Sequence, residues 1–128
     1  MWITNRARCG IAAAALAVSS GCGDSSSTAP SPNPGNSTIT ITSNGVSPTT
    51  LSVTPGSQVT FTNHDSRAHE MTSDPHPTHE DCPELNQVGF LAPGQSRESG
   101  NLVTPGVCGF HDHLNSTKGS LRGAITIR

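Results

Sequence analysis

The sequence predicts an all-β Greek-key sandwich or barrel, and three observations predict it. Apolar residues alternate with threonine or serine in short stretches, as in Thr38-Ile39-Thr40-Ile41-Thr42. Pro-Gly pairs punctuate the chain at Pro55-Gly56, Pro93-Gly94 and Pro105-Gly106. No segment beyond the first two dozen or so residues sustains a helical period. Several short strands with turns every eight to twelve residues or so are the pattern of a sandwich or small barrel.

The elements follow in chain order. Period-two alternation places Ile39 and Ile41 on one face of a half-buried strand. Leu51-Ser52-Val53 repeats the pattern, the Pro55-Gly56 turn follows, and Val59-Thr60-Phe61-Thr62 forms the next strand. Leu121, Ala124, Ile125 and Ile127 close the chain, the last three bracketing Thr126 in a final strand. The core is lean in aromatics, because only Phe61, Phe90 and Phe110 remain once Trp2 is set aside. The stretch from Asp65 to Gln87 is different: polar and rich in proline and histidine. Connections that long inside a compact domain are usually functional or disordered.

The first 22 residues read as a leader. Arg6 and Arg8 precede an apolar run, Ile11 to Val18, which ends at small residues and Cys22. The run is too short to span a bilayer as a helix. Its ending, Val18-Ser19-Ser20-Gly21-Cys22, resembles a bacterial lipobox, with Ser19 departing from the usual apolar residue; the resemblance implies a lipid on Cys22. Ordinary secretion with cleavage nearby is the alternative. Either reading exports the protein, to the periplasm or cell surface, and the first anchors it to a membrane. Residues 23–37 are rich in serine and proline and read as a flexible linker. The expected domain is 38–128.

Without Arg6 and Arg8, five basic residues face nine acidic ones, a formal charge of −4. Nothing resembles the basic patch a nucleic-acid partner requires. There is no Gly-rich phosphate loop, and Glu80-Asp81 reads as surface charge rather than a catalytic pair, so no enzyme is expected.

Two cysteines remain in the expected domain, Cys82 and Cys108. In an oxidising compartment a disulfide is their default state. Cys108 nevertheless opens Cys108-Gly109-Phe110-His111-Asp112-His113, and His69 follows an earlier strand-like run. Such soft and borderline ligands suit copper or zinc rather than magnesium or calcium. Two arrangements are open. If residues 110–113 stay extended, His111 and His113 face one side and Cys108 the other. That favours a site of His69, His111 and His113, with Cys108 free to bond Cys82. A turn after Cys108 would instead bring its thiolate beside His111. His76 and His79, within Asp74-Pro75-His76-Pro77-Thr78-His79-Glu80-Asp81-Cys82, could form a second metal site or a copper-capturing loop. The plainer reading is a solvated loop whose prolines fix its path.

Residues 51–63 followed by His69, the Cys108-Gly109-Phe110-His111 segment and the closing strand together resemble the cupredoxins, the blue-copper proteins of plastocyanin and azurin type. The resemblance covers roughly residues 38–128. It implies one copper ion per chain, with His69, Cys108 and His111 as equatorial ligands. Leu121 stands where the family places an axial methionine, nine residues separate it from His111, and His113 has no role in the family pattern. His113 is then a further ligand, or a group that orients a neighbour or controls solvent access. The function implied is one-electron transfer between redox partner proteins of the cell envelope, by a monomer. Two other functions are carried forward. One is copper storage or delivery through a histidine-only site with a Cys82–Cys108 disulfide. The other is a metal-free structural module.

Overall fold

A computed structural model describes residues 37–128. The leader 1–22 and the linker 23–37, Ser37 excepted, lie outside the described residues.

Nine strands are formed: β1 (Thr38–Thr42), β2 (Gly45–Ser47), β3 (Thr50–Val53), β4 (Thr60–Asn63), β5 (His69–Ser73), β6 (Gly89–Leu91), β7 (Ser96–Glu98), β8 (Gly106–Asp112) and β9 (Arg122–Ile127). They make two sheets, in the orders β2-β1-β4-β7 and β3-β9-β8-β5-β6. Helical structure among the described residues is confined to the 3₁₀ turns Pro83–Gln87, His113–Asn115 and Gly119–Leu121.

The sheets close face to face over the residues that alternation selected. Ile39 and Ile41 of β1 and Phe61 of β4 point in from one sheet, and Phe110 of β8, Ile125 and Ile127 of β9 from the other. The Phe61 and Phe110 rings meet edge to face across the interface, 5.2 Å apart at 87°. That is the geometry an aromatic quadrupole prefers. A Cβ on Gly123 would collide with the Phe110 ring and the Thr49 carbonyl, so glycine at this position lets β9 lie close.

Strand β5 is the element the sequence conceals. It sits between β8 and β6, and Met71, Thr72 and Ser73 are all buried. Its partners along β8 are Asp112 for Met71, His111 for Thr72 and Phe110 for Ser73. Opposed residues share a face. One face of this part of the sheet therefore carries Phe110, Asp112 and Met71 towards the core, and the other carries His111 and Thr72 outwards.

Candidate metal centre

The two cysteines are bonded to each other, with Cα atoms 5.7 Å apart. Cys108 lies in the core on the inner face, two residues from Phe110. Leu121 is also a core residue, almost fully buried. His69 occupies the end of β5, with Nδ1 2.9 Å from Asp112 Oδ2 and Nε2 3.2 Å from Asp65 Oδ2. Both of its ring nitrogens are thus engaged by carboxylates. Of the expected ligands His69, Cys108, His111 and His113, only His111 and His113 are brought together. The reason is the pleat: β8 stays extended through Asp112, so Cys108 faces inwards while His111 and His113 face outwards. Strand β5 likewise turns His69 to the side of Met71 and Asp112, away from His111.

On the outer face, His111 and His113 meet two other histidines. The nine-residue segment 74–82 leaves β5 and folds back over β8. It is closed by bonds from His79 N–H to the Pro75 carbonyl, 2.7 Å, and from Asp81 N–H to the Asp74 carbonyl, 3.0 Å. Asn86, in the turn Pro83–Gln87, donates to the His79 carbonyl and accepts from Ser73 N–H. The disulfide fixes the far end of the segment to β8. His79 has φ 54°, a left-handed conformation uncommon outside glycine and one often retained at functional sites. As a result His76, His79, His111 and His113 each present a ring nitrogen, all within 4.8 Å of one another. The His79 ring centroid lies 4.9 Å from that of His113 and 5.0 Å from that of His111.

Hydrogen bonds select which nitrogens face the cluster. The Ser73 carbonyl can only accept, so His79 donates to it from Nδ1 over 2.8 Å and keeps its lone pair on Nε2. Asp74 accepts from His111 Nδ1 at 2.6 Å, leaving Nε2 of that ring as the donor to a metal. A metal-binding imidazole held at its other nitrogen by a carboxylate or carbonyl is the usual arrangement, because the contact fixes tautomer and orientation and raises basicity. Nε2 of His79 and Nδ1 of His113 are 3.0 Å apart. Two ligands each about 2.0–2.1 Å from one tetrahedral ion are separated by a similar distance. Gly109 makes this possible: a Cβ there would strike the Asp74 carboxylate.

The electrostatics match. His111 is fully buried, His79 and His113 are partly buried, and His76 is exposed. His76 titrates below its ordinary value of 6.5. Although the residue as a whole is exposed, loss of water around its ring is the largest cause, followed by the charges of His113, His111 and His79 and then of Arg122. His76 is thus biased towards its neutral form, the form that ligates. Four imidazoles without thiolate or direct carboxylate suit copper, zinc or nickel, and at nitrogen sites divalent copper binds most strongly.

On the inner side of β8 a second network holds the strand in place. Asp112 Oδ1 accepts from the N–H groups of Glu70 and Leu114, and Oδ2 from His69 and Asn115. Burial raises the Asp112 carboxyl, but these hydrogen bonds outweigh it and hold the group below the usual carboxylate range. Asp112 lies between His111 and His113 in the chain, so its bonds hold the backbone from which both rings project.

No protein-family model and no curated protein sequence matches the chain. Solved structures do match. A purple cupredoxin from Nitrosopumilus maritimus superimposes with a TM-score of 0.59 at 22% identity, over 73% of this chain and all of its own. Plastocyanin from Dryopteris crassirhizoma gives 0.55 at 19%, over 71% of this chain and 99% of its own. A reduced amicyanin variant gives 0.57 at 15%, over 73% and 83%. The chain has a cupredoxin-like fold. The expected fold class is therefore observed, and on this cupredoxin-like sandwich the histidines converge outside the inner sheet face. Of the four, His76 and His79 read in the sequence either as a second metal site or, more plainly, as part of a solvated loop. The available signal was their spacing behind Asp74, with the two imidazoles three residues apart in a turn ending at a cysteine.

Proposed function

We propose that the protein binds one copper ion per chain through His76, His79, His111 and His113, and stores or delivers that ion outside the cytoplasm. The observation that carries this reading is the convergence of four ring nitrogens within 4.8 Å, two of them oriented by Ser73 and Asp74. In it Asp74 orients His111, Ser73 orients His79, and the exposed His76 is the ligand nearest to exchange with solvent. One-electron transfer at a blue-copper centre would need Cys108 as a thiolate ligand. Its bond to Cys82 and its place on the inner face favour storage and delivery instead. Export is supported by the disulfide, which persists in oxidising compartments. A lipid on Cys22 would then hold the domain at a membrane.

Copper titration against a competing chelator tests the assignment. The wild type should bind one equivalent. His111→Ala and His79→Ala should each weaken binding by 100-fold or more, whereas His69→Gln should leave the stoichiometry at one. Unchanged tight binding by His111→Ala would overturn the site.

A further inference from the structure

We propose that the histidine centre includes a position for a small inorganic monoanion, held between the metal and the guanidinium of Arg122. This rests on the reading of the centre as a copper site.

In the β8–β9 register Arg122 stands directly opposite His111. Residues so paired project from the same face, with Cβ atoms about 5 Å apart. Leu121, one position earlier, is in the core, and Arg122 is exposed on the outer face beside the buried His111. The guanidinium forms no ion pair with any carboxylate among the described residues. Asp74, the carboxylate hydrogen-bonded within the histidine cluster, is already committed to His111.

Charge counting completes the argument. Four neutral imidazoles bring no negative charge to a divalent ion. Asp74 offsets one unit, Arg122 adds one, and the ion and guanidinium together retain two uncompensated positive charges. The exposed His76 leaves the solvent side open to a ligand of a few atoms. Arginine's planar fork donates to such an anion while one anion atom binds the metal, and charge-assisted bonds of this kind are the strong ones.

Azide is a suitable probe. The full-length protein is loaded with Cu(II), loading is verified, and sodium azide is titrated while the azide-to-copper charge-transfer band and the electron paramagnetic resonance spectrum are followed. Arg122→Gln should load copper as the wild type does and weaken azide binding about tenfold or more. Arg122→Lys, which keeps the charge and loses the fork, should fall between them. Rising ionic strength should weaken azide binding to the wild type more than to Arg122→Gln. Equal azide affinity in wild type and Arg122→Gln, or no azide binding to copper-loaded wild type, would overturn the inference and leave the copper site standing. Failure of the wild type to load copper at all would overturn both.

Discussion

Asp74 reaches across Gly109 to accept the Nδ1 proton of His111 at 2.6 Å, joining the start of the histidine-bearing segment to the strand beneath it. The contact sets which nitrogen of a buried ring faces the cluster. Asp74→Asn should therefore weaken copper binding about 10–100-fold, the usual cost of losing such a supporting carboxylate. Gly109→Ala should do the same by displacing Asp74 with a methyl group. Chelator competition measures both.

His69 gives the opposite expectation. It lies between Asp65 and Asp112 on the inner side of the sheet, and both carboxylates are buried. Removing the imidazole leaves buried charge uncompensated, which costs about 3–5 kcal/mol. His69→Gln should lower the unfolding free energy towards that extent in urea titrations, with copper stoichiometry intact.

The disulfide joins the end of segment 74–82 to β8, closing a loop across a sequence separation of 26. Chain-entropy arguments assign such a crosslink roughly 3–4 kcal/mol. The Cys82→Ser, Cys108→Ser double variant should lose stability of that order. It should also bind copper more weakly, because His76 and His79 ride on the released segment.

Acid should act through Asp65. Burial raises its carboxyl, but the His69 contact, the Ser66 N–H and the charge of Arg67 outweigh this and hold it below the ordinary 3.8. Below 3.8 the unfolded chain takes up the proton first. The stabilisation is complete above that value and is lost as pH falls through the lower native one. Asp65→Asn should flatten the fall in stability between about pH 4 and pH 2, measured by urea unfolding at each pH.

Much of the sandwich is legible in the sequence because β1, β3, β4 and β9 bury alternate residues, and Ile39, Ile41, Phe61 and Ile125 announce their faces. Strand β5 is not legible. It is covered on both faces, and its polar groups are satisfied by Asp65, Asp112, Asn86 and His111, partners up to 43 residues away. The metal centre divides in the same way. The outward pairing of His111 and His113 follows from the pleat. Their meeting with His76 and His79 depends on where the 74–82 segment lands, and the His79–His113 contact spans 34 residues. The expected joining of His69 and Cys108 to His111 required a turn after Cys108. The chain instead continues as strand and bonds Cys108 to Cys82.

The visible absorption spectrum of the Cu(II)-loaded protein tests the central claim most directly. A histidine-only centre on the outer face predicts one copper per chain, a pale ligand-field spectrum and no intense sulfur-to-copper band. An intense blue or purple band at full loading would place the Cys108 thiolate on the metal and contradict it.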